Sequence, residues 1–328
     1  MSINFYIPDF NKNQMPKRAS RRFRAIVPLQ GMRPEDKIIS NLDGDNANKG
    51  DIIVVAKKIK YNEVLYLKNR EVKIVLDICD SKFRKSGVSE NIINICNMAN
   101  LITTTNQFLA DEIRLFTNKN AFIIDDPTER KKLNPFFPDL KIHERKRKDT
   151  IKLFYYGSEK NFACLKFKKI IDDIKKISNF NVFINIMIDR PKKYIDNLKD
   201  YIENNIIKIY DYDYDEQERL IKDSDIILLP INSKDFNKHI VYQKSPNRVI
   251  DAIQMGKIVI TNSGVASYEK FKDFVYWNEN HNYEEAINWI LNNKEQVIKK
   301  ITEGQQYIDQ HHTPEIIGKR WIEIEKII

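Results

Sequence analysis

Cysteine is scarce in this sequence: Cys79, Cys96 and Cys164 stand alone, each in an apolar context. The absence of a Cys-x-x-Cys pair argues against a zinc site or a disulfide framework and for buried, reduced thiols. No apolar run reaches the roughly 18–20 residues that a membrane span requires. The N-terminus carries no signal-peptide core, so the expectation is a cytoplasmic protein. No GxGxxG opens a βαβ unit, and the P-loop, HExxH, GxSxG and kinase signatures are all missing. Classical dinucleotide, P-loop, zinc-protease and serine-hydrolase chemistry are therefore disfavoured. The five histidines (His143, His239, His281, His311, His312) show no metal-ligand spacing, and no metal is expected. His311 and His312 read as a helix-end feature. There is no internal repeat and no low-complexity segment.

What remains is a chain of 328 residues with 42% hydrophobic and 31% charged content, suited to a packed protein of two α/β domains. Its formal net charge is +9. Such a balance favours an anionic partner, whether nucleotide, acidic glycan, phospholipid surface or nucleic acid. Abundant Lys, Asn and Ile are also what an AT-rich genome produces.

Apolar runs at Asn4–Ile7, Asp51–Ala56, Val72–Ile78, Leu101–Thr103 and Ala121–Ile124 alternate with helical patterns. They predict a largely parallel sheet covered on both faces over residues 1–127. Residues 128–150 hold Pro135, Pro138 and the run Glu144–Lys148, and read as a linker. The alternation restarts with strands at Ile151–Tyr156, Val182–Ile188, Ile206–Tyr210 and Asp225–Pro230, giving a second domain over 151–312. Helices are predicted over Ala163–Ser178 and Lys192–Glu203. Thr313 as N-cap and Pro314 in the first turn start a terminal helix over 313–328.

The stretch KSPNRVIDAIQMGKIVITN, Lys244 to Asn262, is the strongest functional signal. Apolar positions at helix spacing end at Gly256, and a buried strand follows. Lys244, Ser245, Asn247 and Arg248 stand at the helix start, where exposed amides and positive charge make an anion site. Ligands of open α/β sheets bind beyond the carboxyl ends of the strands. That rule adds Gly157, Ser158, Lys160 and Asn161, then Asp211, Tyr212 and Asp213, then Pro230 to Asn232. In the first half it selects Asp9 to Arg24, including Arg22 and Arg24, with Asp77, Asp80, Asp125 and Asp126.

Three stretches carry a resemblance: DSDIILLPI (Asp223–Ile231), KSPNRVIDAIQMGKIVIT (Lys244–Thr261) and GQQYIDQHHTPEIIGKRWIEI (Gly304–Ile324). The second half resembles the donor-binding domain of GT-B glycosyltransferases. It is most similar to the retaining, family-4-like bacterial enzymes of polysaccharide and lipopolysaccharide synthesis. SRRFRAIVP (Ser20–Pro28), GDIIVVAKK (Gly50–Lys58), VLDICD (Val75–Asp80) and FIIDDP (Phe122–Pro127) resemble a shortened acceptor domain of such enzymes. The resemblance implies two Rossmann-like parallel-sheet domains facing a cleft, with the terminal helix returning to the N-terminal domain. It implies hexosyl transfer from a nucleotide-diphosphate sugar, a co-substrate, with no cofactor and no essential metal. The implied acceptor is a cell-envelope glycan or lipid-linked sugar, with peripheral contact to the cytoplasmic membrane face.

In that scheme Lys244 and Arg248 neutralise the departing diphosphate, and Gly157 and Ser158 allow close approach to the donor phosphates, with Lys160 adding charge. Asn161, Asp211, Tyr212, Ser245 and Asn247 complete the donor side. Asp80 is a weaker catalytic candidate, and Arg22, Arg24 and Asp77 are the acceptor-side candidates. Gln243 and Asp251 stand where the family carries a pair of glutamates. Asp251 retains a carboxylate for the ribose; Gln243 does not for the sugar. The glycine-rich loop of the family is missing, since Pro8–Pro16 contains no glycine. Two other readings stay open: transfer to modified DNA bases, as in phage enzymes, and a degenerate GT-B module that binds nucleotide without transfer.

Overall fold

Among the described residues the apolar runs assemble into two six-stranded sheets, every pairing in them parallel. The computed structural model describes residues 2–8, 10–11, 16, 19–42, 47–56, 60–81, 83, 90–138, 149–163, 165–177, 180–231 and 244–328. The chain divides into two compact units: Met1–Glu129 with Tyr242–Asn247 and Asp309–Ile328, and Arg130–Val241 with Arg248–Ile308.

The first unit contains β1 (Ile3–Tyr6), β2 (Lys37–Ile39), β3 (Ile52–Ala56), β4 (Lys73–Ile78), β5 (Leu101–Thr104) and β6 (Ala121–Ile123). Their order is β2-β1-β3-β4-β5-β6, so the connections reverse direction between β1 and β3. Helices Tyr61–Asn69, Glu90–Met98 and Gln107–Thr117 follow β3, β4 and β5 in the chain. Successive strand residues point to opposite faces, and both faces are covered here. Ile53 and Val55 enter one apolar cluster, Ile52 and Val54 the other.

The terminal helix Pro314–Glu323 packs on the second face. Thr313 accepts from the Ile316 amide, as its N-cap role requires. Trp321, fully buried, meets Phe5 edge-on at 5.1 Å. A Cβ on Gly318 would meet the Gly31 backbone and one on Gly31 the Pro314–Glu315 backbone, so neither position has room for it.

The second unit contains β7 (Thr150–Gly157), β8 (Asn181–Ile188), β9 (Ile207–Asp211), β10 (Ile226–Leu229), β11 (Ile258–Thr261) and β12 (Tyr276–Trp277). Their order β12-β11-β10-β7-β8-β9 reverses between β7 and β10. Leu153 and Tyr155 line one core; Phe154 and Tyr156 line the other. Asp225, just before β10, joins β7 at its entry by accepting from the Lys152 amide at 2.7 Å.

Several local expectations change. β2 was not foreseen; its three residues pair beside β1. The helix near Ser20–Ile26 is π-helical over Arg22–Ile26. The predicted helix Ala163–Ser178 is instead Glu159–Ala163 and Phe167–Ile174, and Lys192–Glu203 is interrupted by a 3-10 turn at Asp196–Leu198. Residues 131–138, read as linker, run along the second unit. There Leu133 and Phe136 donate to the Gln254 and Gly256 carbonyls at 3.0 and 2.9 Å. Cys96 is buried and Cys79 half-buried, while Cys164 and the basic run Glu144–Lys148 lie outside the described residues.

Candidate functional site

The helix Asn247–Gln254 is held by its apolar side. Val249, Ile250 and Ile253 sink into the core beneath it. Gly256 ends it with φ +72°, a backbone conformation that L side chains rarely adopt. β10 and β11 are parallel, so the helix between them runs antiparallel to both. Its N-terminus therefore lies at the carboxyl edge of the sheet, the expected ligand edge.

Arg248, in the first turn, folds back onto the end of β7. Its Nη1 donates to the Tyr156 carbonyl at 2.8 Å and its Nη2 to the Tyr268 hydroxyl at 3.3 Å. A planar guanidinium carries five N–H donors in a fixed fork. In return the Tyr156 hydroxyl donates to the Arg248 carbonyl at 2.9 Å. Burial disfavours the Arg248 charge, but the surrounding tyrosines, Tyr268 first, hold its pKa above the ordinary value. Gly157 has a specific reason to be glycine: a Cβ there would lie 2.8 Å from Arg248 Nη1. The close approach at Gly157 is thus made first by a guanidinium of the chain itself.

Registers place the other donor-side candidates. Gly157 pairs with Ile188, and Ile188 with Asp211, so Gly157 and Asp211 share one level of the sheet edge two strands apart. That separation is about 9.5 Å. Asp211 is exposed and its carboxylate accepts from the Tyr212 amide at 2.8 Å. Asp213 caps the helix Tyr214–Asp223 through the Glu216 amide at 2.8 Å. Ser158 is spent locally, its hydroxyl and carbonyl both accepting from the Asn161 amide at the start of the turn Glu159–Ala163. Asp251 is only 2% exposed. Burial raises the Tyr156 pKa well above its usual range, and the neighbouring Asp251 charge adds to the rise. Asn232, Gln243 and the Lys160 side chain lie outside what the structure describes.

In the first unit the segment Lys244–Asn247 is anchored through Ser245. The Ser245 hydroxyl donates to Asp126 and accepts from the Asn247 amide at 3.3 Å. Lys244 is half-buried and Asp80 is exposed. The three acceptor-side candidates have buried partners instead of a solvent face. Arg22 pairs with Glu129 at 2.6 Å. Arg24 pairs with Asp77 at 2.7 Å and Asp126 at 3.1 Å. The physical reason is desolvation: a buried guanidinium persists only with carboxylates and carbonyls around it. Sequence reasoning missed Glu129, Tyr156 and Tyr268, which look like ordinary core or surface residues until their partners are seen. Among the described residues no cluster of three or more His, Cys, Asp or Glu could hold a metal ion. Among them, too, no helix is long and apolar enough to cross a membrane.

No protein-family model and no curated protein matches the sequence. Solved structures do match in three dimensions. A glycosyltransferase from Rickettsia africae superposes with TM-score 0.66 at 12% identity, covering 99% of this chain and 97% of its own. Anabaena HepE, in complex with UDP, superposes with TM-score 0.66 at 11% identity over 100% of both chains. S. aureus TarM superposes with TM-score 0.59 at 16% identity over 84% of this chain; the match spans 55% of TarM's own length. Two parallel six-stranded sheets, each reversing beside its first strand, together with this likeness, give the chain the GT-B fold of these glycosyltransferases.

Proposed function

We propose that the chain is a glycosyltransferase that moves a sugar from a nucleotide-diphosphate donor to a cell-envelope glycan or lipid-linked acceptor. The observation that carries the reading is Arg248. A guanidinium locked by Tyr156 and Tyr268 against a glycine at the carboxyl edge of the sheet is a preorganised cation for a phosphate group. UDP bound to HepE, which shares this fold over its full length, supports a nucleoside diphosphate as the ligand class. The N-terminal turn of the helix that carries Arg248 adds positive potential, and Lys244 precedes that helix by three positions in the chain. Catalysis then consists of orienting donor and acceptor and stabilising the leaving diphosphate, which needs no metal. The net charge of +9 suits contact with an anionic membrane face, where a lipid-linked acceptor resides.

Calorimetric titration with UDP, GDP, ADP and CMP, followed by donor turnover with and without EDTA, tests the proposal. Binding of one nucleoside diphosphate and EDTA-resistant turnover are expected. Lys244→Ala is expected to lower turnover by at least tenfold while the thermal transition stays in place. Absence of binding across the panel sinks the proposal, and near-normal turnover in folded Lys244→Ala removes that residue from the mechanism. Tight binding without turnover would point to a nucleotide-binding module.

A further inference from the structure

Ser245 links the segment that carries Lys244 to a buried ionic network. Its hydroxyl donates to Oδ2 of Asp126, whose Oδ1 lies 3.1 Å from Arg24 Nη1. Arg24 is gripped from three further sides. Asp77 accepts from Nη2 at 2.7 Å and from Nε at 3.0 Å, and the Ile124 carbonyl accepts from Nη1 at 2.5 Å. The Trp321 ring lies 5.2 Å from the guanidinium carbon. Thr103 donates to Asp77 at 2.9 Å. Apart from Ser245, each of these side chains is at most 5% exposed.

Two carboxylates face one guanidinium in this network, so Asp126 retains acceptor capacity that Arg24 does not fill. A buried carboxylate is costly to displace because it must keep its partners. Asp126 is therefore a fixed point, and the Ser245 hydroxyl is tied to it. Fixing Ser245 fixes the residues on either side of it, Lys244 and, through the Asn247 amide at 3.3 Å, the first residue of the helix.

We infer that Asp126, oriented by Arg24, which Asp77 in turn holds, is a positioning residue: through Ser245 it sets the Lys244–Asn247 segment in the conformation that receives a donor diphosphate. The inference rests on the donor reading above. It also gives Arg24 and Asp77 a role that does not require either to touch an acceptor.

The test combines amide hydrogen exchange over residues 244–250 with calorimetric binding of UDP and GDP. Both are measured on wild type, Ser245→Ala, Ser245→Thr, Asp126→Asn and the double variant Ser245→Ala/Asp126→Asn. Ser245→Ala removes one hydrogen bond to a carboxylate and is expected to weaken nucleotide binding about tenfold and to speed exchange in the segment. Ser245→Thr keeps the hydroxyl and is expected to restore both. The double variant is expected to be no weaker than Asp126→Asn alone, because once Asp126 is changed the Ser245 hydroxyl no longer has that carboxylate to hold. Ser245 is a small residue at a partly exposed position, so its variants report even where an Asp126 variant folds poorly. Unchanged exchange and binding in Ser245→Ala, or additive effects in the double variant, overturn the inference. If wild type binds neither nucleotide, it is the donor reading that loses support; the exchange rates still decide whether Asp126 holds the segment.

Discussion

Lys257 shows at the scale of one residue how burial and hydrogen bonding compete. It is 3% exposed, and its ammonium donates to the Lys222 and Ser224 carbonyls at 2.8 and 2.7 Å, where the helix Tyr214–Asp223 ends. Its Nζ also lies 4.0 Å from the Phe136 ring centroid. Burial lowers its pKa to about 8 from the ordinary 10.5, with Asp225 and Asp223 opposing. The charged form is thus disfavoured in the folded state. Between about pH 8 and 10.5 the unfolded chain binds more protons, so this group's contribution makes stability rise with pH through that window. Wild type is expected to gain stability relative to Lys257→Met as pH is raised across it, measured by urea unfolding at constant ionic strength. Parallel pH profiles would show that the lysine titrates normally. None of this was legible beforehand: in sequence Lys257 only opens an apolar strand, and its partners, the Lys222 and Ser224 carbonyls and the Phe136 ring, come from distant parts of the chain.

At the scale of elements, the helix Asn247–Gln254 and its glycine stop were legible because two local signals agree: apolar residues at helical spacing and a glycine before an apolar strand. The structure adds a second constraint at Gly256. A Cβ there would lie 2.2 Å from the Asn134 carbonyl oxygen, in the stretch that runs along the helix end. Gly256→Ala combines positive-φ strain with overpacking and is expected to cost roughly 2–4 kcal/mol. Loss of the urea midpoint with an unchanged m-value is the expected signature, and an undisturbed midpoint would show that Asn134 can shift at little cost. The strands were equally legible, since a sheet buried on both faces leaves continuous apolar runs such as Ile52–Val55 and Ile226–Leu229. β2 was not, because three residues give no period to read.

For the whole molecule, the terminal helix belongs to the first unit although it follows the second in sequence. Trp321 is its anchor, packed between Phe5 and Arg24. Trp321→Ala is expected to destabilise the first unit by about 3–5 kcal/mol, read as a lower calorimetric transition temperature. A transition at the wild-type temperature would deny the tryptophan that role. The fold class was legible as two alternating β/α series. The return of the last helix was not written in its own pattern, because an amphipathic helix fits any apolar face; it was implied only by resemblance.

The sequence by itself determined where the strands lie, that two parallel sheets form, and that cationic and polar groups gather at the start of the helix Asn247–Gln254. These follow from local periodicity and from rules of strand connection, which short windows carry. Tertiary structure alone decided what each charge does. Arg22 and Arg24 enter buried pairs, Arg248 turns onto Gly157, and Ser245 reaches Asp126, 119 positions earlier in the chain. The same residue types at the same spacing fit a solvated face equally well. Only desolvation, set by which distant segments cover a side chain, fixes whether its charge is free for a ligand or committed to the fold.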